Sequence, residues 1–292
     1  MAVYKRTYKA YTGVTTPAWS RFLVLSRFSF ATLFDSRLFT AFTVICYVPF
    51  LIGFAFIYIS HSLTAQLVLG ISARNPVPID GAWFVMYLAV QCWFGFFLTA
   101  WCAPGLISQD LANNALPLYL SRPLSRPEYL LGKITVLAIL LSCITWVPAL
   151  VLFLLQAEME GHGWGWNNIG IAGAILVCAW LFIALISLVS MALSVWMKWR
   201  ITATAAMLAV FFVVPGFGVA IDQVLRVHWG SLLNLPVDLM RIWVHMFGAQ
   251  YRVRISGGAV PVWEAWAAIL VVCWLAVLLL DKRLRAKEVI RG

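Results

Sequence analysis

Six stretches of this chain, 38–73, 81–109, 134–157, 161–197, 201–221 and 265–280, contain no Asp, Glu, Lys or Arg. A helix needs about 20 residues to cross ~30 Å of hydrocarbon. The first five stretches meet that length, and the sixth meets it by including Trp263 and Glu264 at its rim. The predicted spans are 39–60, 82–103, 134–156, 169–195, 202–221 and 263–281. Gly161 to Asn168 is Gly, Trp and Asn over most of its length and reads as an interfacial loop, so 161–197 holds one span. Barrel strands would be shorter and would alternate in polarity. The fold class is therefore an all-α polytopic membrane protein with six transmembrane helices.

Composition agrees. Hydrophobic residues make up 63% and charged ones 11%, with a mean hydropathy of +0.91. A soluble domain carries about 25% charge, so a soluble enzyme, a secreted module and a disordered chain are all excluded.

Basic residues set the orientation. With both termini cytoplasmic, 16 of the 21 Lys and Arg fall inside, and every inside segment contributes. The remaining five, Arg74, Arg226, Arg241, Arg252 and Arg254, fall outside. Segment 1–38 is a cytoplasmic N-terminal region, 39–281 the six-span domain and 282–292 a basic cytoplasmic tail. Residues 18–38 mix Trp19, Phe22, Leu25, Phe28, Phe30, Leu33 and Phe34 with Arg21, Arg27, Asp35 and Arg37. That mixture predicts an amphipathic helix lying in the interface before the first span. No stretch near the start is long enough for a signal-peptide core.

Catalytic chemistry is not written into the chain. The six cysteines fall in predicted spans without zinc or CxxC spacing. The four histidines all fall on the outer side, and no metal site is expected. No Asp, Glu, Lys or Arg lies near the middle of a span, which argues against a proton- or sodium-driven carrier. No GxxxxGK[ST] phosphate cradle and no nucleic-acid motif is present.

The connection 104–133 is more elaborate than a tether needs. Ser125-Arg-Pro-Glu128 is a capping box with Pro127 in the first turn, so a helix starts near 126 and runs into the third span. Upstream, Ser108 to Leu116 predicts about two separate helical turns closed by Pro117.

The outer segment 222–262 carries Leu239, Ile242, Trp243, Met246 and Phe247 on one helical stripe, with Asp238, Arg241 and His245 on the opposite face. Asn234 and Pro236 supply a start and Gly248 a stop. The prediction is a short amphipathic helix on the outer leaflet between spans 5 and 6. Aromatic rings are dense in the second span, and Phe211 and Phe212 in the fifth stand beside Pro215-Gly216, an expected kink.

Gly105-Leu106-Ile107-Ser108-x-Asp110, then Leu118-Tyr119-Leu120-Ser121-Arg122-Pro123-Leu124-Ser125-Arg126, then Tyr129 and Gly132-Lys133, resemble the membrane subunit of ABC-2-type (type V) ABC exporters. The resemblance implies a permease that pairs with an identical copy or a paralogue and docks two copies of a cytoplasmic ABC ATPase through the loop 104–133. ATP and Mg would be bound by that partner, with no cofactor or catalytic residue in this chain. Coupling would fall on Ser108, Asp110, Asn113, Asn114, Tyr119, Arg122 and Arg126. The pathway would be built from spans 2 and 5, with Phe96, Phe97, Phe211 and Phe212 as candidates. Leu239, Trp243 and Phe247 would form an outer gate. The resemblance also implies a bacterial inner (plasma) membrane setting and lipid contacts, and an uncharged aromatic lining of that pathway would favour an amphiphilic or lipidic substrate over a small ion. A membrane anchor or assembly subunit without a path of its own is the alternative.

Overall fold

A computed structural model describes residues 21–68, 78–112, 125–197, 199–250, 253 and 260–289. Among the described residues every regular element is helical, and six runs are long and apolar enough to cross a membrane. They are Arg37–His61, Gly81–Ser108, Pro127–Glu160, Ile169–Trp196, Arg200–Leu225 and Val262–Arg283.

Helix α1 (Arg21–Phe34) precedes the first span and packs against the third. It turns its Leu25, Ser26 and Ser29 inward and leaves Val24 and Phe28 uncovered. Ser36 then caps α2 (Arg37–Ile45), its hydroxyl accepting from the Phe39 amide at 3.4 Å. Span 1 continues as α3 (Val48–His61), followed by α4 (Leu63–Val68). Span 2 is α5 (Gly81–Ala112), opened by Asp80, whose carboxylate accepts from the Ala82 and Trp83 amides at 3.1 and 3.3 Å. Span 3 is α6 (Arg126–Ile144) and α7 (Trp146–Glu160), then α8 (Trp164–Asn167) lies in the expected loop. Span 4 is α9 (Ile169–Trp196). Span 5 is α10 (Arg200–Leu208), a π turn (Ala209–Val213) and α11 (Val214–Leu225). A 3-10 turn (Trp229–Leu233) and α12 (Leu235–Met246) lead to span 6, α13 (Val262–Val289).

Prolines explain the breaks, and neighbouring spans make good the backbone groups left over, as a bilayer requires. Span 1 breaks at Cys46–Tyr47 before Pro49, and the Gln91 amide of α5 donates to the Cys46 carbonyl at 2.7 Å. Tyr47 donates its hydroxyl to the Cys143 carbonyl at 3.1 Å, beside the break of span 3 at Thr145. In span 5, Pro215 has no N–H for the Phe211 carbonyl. The irregular turn accordingly falls on Ala209–Val213, just ahead of the Pro215-Gly216 pair where the sequence places a kink.

Spans 2, 3 and 4 form the centre, with 56%, 56% and 50% of their apolar windows buried against 17% in each of spans 1, 5 and 6. Helix α9 packs along both α5 and α13, and α10 along α5. One end of the bundle, the near end, holds α1, the end of α5 and the starts of α6 and α10. At the far end His61 meets Glu160 at 2.9 Å, joining spans 1 and 3. Exposed tryptophans mark both ends: Trp196 and Trp199 at the near one, Trp166, Trp229 and Trp263 at the far one.

Two sequence expectations change. Helix α5 does not stop at 103 but runs through Pro104 to Ala112, so Ser108 belongs to the second span rather than to a separate short helix. Helix α12 begins and ends as predicted: the Asn234 side chain accepts from the Val237 amide at 3.3 Å, and Gly248 takes φ +64. It does not lie on a surface, however. It packs against α9, α13 and α5, and Asp238 and Arg241 of its polar face are buried with most of its apolar one, while His245 and Met246 in the last turn stay exposed. The Asp238 and Arg241 side chains pair at 2.9 Å, which offsets part of the cost of taking these charges out of water.

Candidate functional site

A cavity of about 330 Å³ opens between spans 2, 4 and 5 and helix α12. Helix α5 contributes Ala89, Cys92, Trp93 and Phe96, which fall on one face at a spacing of three or four residues. Span 4 adds Phe182 and Ile186, and the π turn of span 5 adds Phe211. The first two turns of α12 close it with Pro236, Val237, Leu239, Met240 and Trp243. None of these side chains is ionisable except the Cys92 thiol.

The aromatic rings fall into two groups, one on spans 2 and 5 and one between span 4 and α12. Phe96 lies 4.9 Å from Phe211 and 5.8 Å from Phe212, Trp93 stacks on Phe212 at 5.7 Å, and Phe182 meets Trp243 edge-on at 6.5 Å. The extra residue in the π turn presents Phe211 inward and leaves Phe212 half exposed. Such a surface accepts apolar and aromatic matter and offers nothing to solvate an ion.

Behind the cavity wall, Asp238 is wholly buried, and burial raises its carboxyl to about 6 even though the Arg241 guanidinium pulls it down. Its Oδ1 accepts from Arg241 at 2.9 Å. The far end of α12 abuts the start of span 2: a Cβ on Gly81 would overlap the Phe247 carbonyl, so only glycine allows this approach.

Of the four pathway candidates, Phe96 and Phe211 line the cavity. Phe212 touches its ring cluster from outside, and Phe97 faces a separate groove beside span 5. Of the gate candidates, Leu239 and Trp243 line the cavity, while Phe247 is buried against span 2. The contribution of span 4 carries no sequence signal, because Phe182 and Ile186 sit in an unbroken apolar run.

The near end holds a second constellation. Lys133, buried in α6, pairs with Asp110 of α5 at 2.9 Å and donates to Ser29 of α1 at 3.4 Å. Tyr129 donates its hydroxyl to Asp110 at 2.8 Å, with Lys133 5.8 Å from the ring centroid, and Ser26 donates to the Gly132 carbonyl at 2.7 Å. Glu128 returns to the Ser125 amide at 2.6 Å, the predicted capping box. Asp110 is therefore spent within the chain, on Lys133 and Tyr129, rather than presented free to a partner. Ser108 is buried, its hydroxyl donating to the Pro104 carbonyl. Arg126 opens α6, and Asn113, Asn114, Tyr119 and Arg122 lie outside the described residues.

Spans 2 and 5 are also tied at Pro104. That proline cannot donate to the Ala100 carbonyl, which instead accepts from the Thr204 hydroxyl at 3.1 Å, shared with the Arg200 carbonyl at 3.1 Å. Arg200 donates to the next carbonyl, Trp101, at 2.8 Å.

Residues 93–236 match the model of a family described as ABC-2 family transporter protein. The match covers most of span 2, all of spans 3 to 5 and the start of α12, and it supports a permease of the ABC-2 type. No curated protein matches the chain significantly.

Proposed function

We propose that this ABC-2-type permease forms an export path for an amphiphilic or lipidic substrate, driven by a separate ATPase. The observation that carries the reading is the uncharged aromatic cavity of about 330 Å³ between spans 2, 4 and 5, closed at the far end by α12. The family implies an ABC ATPase partner in general. In this reading two ATPase copies dock at the near end, bind ATP and Mg, and their ATP-driven closure is passed to the spans.

The near-end network suits such a transmission. Asp110, Tyr129, Lys133 and Ser29 join span 2, span 3 and α1, so displacement of the segment 104–133 carries all three together. The Thr204 and Arg200 bonds carry span 5 with span 2. Both cavity walls then move as one against span 4 and α12, which act as the outer gate through Leu239 and Trp243. The thinly covered faces of spans 1, 5 and 6 leave area for a second permease copy. The 16 basic residues that the sequence assigns to the inside support a cytoplasmic near end with both termini on that side, in this reading in a bacterial inner membrane.

The test is reconstitution with the ABC ATPase that copurifies with this chain from native membranes, scoring ATPase stimulation by a panel of amphiphiles. Ala89→Trp fills the cavity and should abolish stimulation while basal hydrolysis and complex assembly persist. Undiminished stimulation in that variant overturns the reading.

A further inference from the structure

A polar notch of about 370 Å³ lies at the near end between α1, α2, α5 and the start of α10. Its polar wall is Ser29, Thr32 and Ser36 with Asp110, Lys133 and Arg200. Asp110 neutralises Lys133 at 2.9 Å, whereas no carboxylate among the described residues pairs with Arg200. The notch therefore keeps one uncompensated positive charge. Arg200 spends one N–H on the Trp101 carbonyl, leaving most of its five donors for a ligand. The guanidinium lies beside Gly105, where an added Cβ would make ordinary contact with its Nε at 3.8 Å.

The notch does not end at the guanidinium. Trp101 and Arg200 are also walls of a second hollow, of about 540 Å³, lined otherwise by Phe42, Phe94, Phe97, Leu208 and other uncharged residues. It runs up α5 from Trp101 to Phe94, roughly 10 Å of helix toward the middle of the span. Exposed Trp196, Trp199 and Ile201 place the junction at headgroup depth. A cationic, hydroxyl-lined compartment thus opens into an apolar trough at the level where a bilayer changes from one to the other.

We propose that this pair of hollows holds an acidic phospholipid of the leaflet beside α1. Its phosphate lies against Arg200 and the Ser29 hydroxyl, beside Thr32, whose own hydroxyl donates to the Phe28 carbonyl at 3.1 Å, and an acyl chain lies along Phe97 and Phe94. A guanidinium offers paired donors to phosphate oxygens, and the net positive charge selects an anionic lipid over a zwitterionic one. The site is separate from the aromatic cavity and stands whether or not that cavity carries substrate.

Delipidated full-length chain in detergent is titrated with phosphatidylglycerol and with phosphatidylcholine of the same acyl chains, and bound lipid is counted by native mass spectrometry. Phosphatidylglycerol should bind tighter by about fivefold, the effect of one basic residue at a charged surface. Arg200→Gln should erase that preference, and Arg200→Lys should keep part of it. Thr32→Asp, at an exposed position of α1, should lower phosphatidylglycerol binding without changing that of phosphatidylcholine, which keeps the test independent of how Arg200→Gln folds. Millimolar inorganic phosphate should not displace the lipid, because it lacks the chain that fills the trough. Equal binding of the two lipids, a preference that survives both Arg200→Gln and Thr32→Asp, or displacement by phosphate alone each overturns the proposal.

Discussion

The Thr204 hydroxyl stands 3.1 Å from the Ala100 carbonyl, the oxygen that Pro104, four residues on in the same helix, has no N–H to reach. A proline in the lower third of span 2 is thereby matched by a threonine in the first turn of span 5. The two spans are locked at the point where span 2 leaves the bilayer. Arg200 does the same for the neighbouring Trp101 carbonyl.

Thr204→Val should therefore destabilise the protein by about 1 kcal/mol, a usual figure for an interhelical side-chain bond in a membrane. Pro104→Ala in the same chain restores an N–H at 104 for the Ala100 carbonyl and should recover much of the loss. Thermal denaturation in detergent of the two single variants and the double reads the coupling. Strict additivity would mean that the threonine does not serve that carbonyl.

The Lys133–Asp110 pair is nearly buried, so removing one partner strands the other. Lys133→Met should cost about 3 kcal/mol, and Lys133→Met with Asp110→Asn distinctly less. Melting temperatures of the three chains check the order. In the assembled transporter, the single variant should also lose coupling of hydrolysis to transport.

Asp238 gives α12 a pH dependence of definite sign. Burial raises its carboxyl from the ordinary 3.8 to about 6. Between these values the folded chain holds a proton that the unfolded chain has released. Its contribution to stability is fully present below about pH 4 and is lost as pH rises through 6. Denaturation across pH 4–8 should show that decline, and Asp238→Asn should flatten it.

The hairpin at the far end of span 5 depends on two glycines. A Cβ on Gly218 would overlap the Gly230 carbonyl, one on Gly230 would overlap the Gly218 carbonyl, and the Gly230 amide donates to Asp222 at 2.7 Å. Both overlaps involve backbone, which cannot swing aside. Gly218→Ala should therefore separate α11 from the 3-10 turn and expose its amides to faster hydrogen exchange, leaving near-end amides unchanged. Uniform protection would refute the contact.

Most of the local structure was legible beforehand. Charge-free windows marked all six spans, Ser125 and Glu128 the start of α6, and Asn234 and Gly248 the two ends of α12. These signals act within a few residues of themselves, through capping geometry, proline sterics and hydrocarbon thickness. The extension of α5 through Pro104 was not legible, because what rescues that proline lies a hundred residues away in span 5. Gln91 gave only a faint signal, a lone amide in an apolar run. Its partner, the Cys46 carbonyl, is freed by a break in another helix.

What the chain determined by itself is how often it crosses the bilayer, where its charge gathers and where several helices begin and end. Only tertiary packing decided that Phe96 and Phe211 face a cavity while Phe97 faces a groove, that Asp110 is already engaged, and that Asp238 and Arg241 are buried. The reason is the solvent. Lipid is as apolar as a neighbouring helix, so hydrophobic periodicity within a span does not distinguish a face turned outward from one turned to the core. That distinction comes only from the shapes and hydrogen bonds of helices brought together.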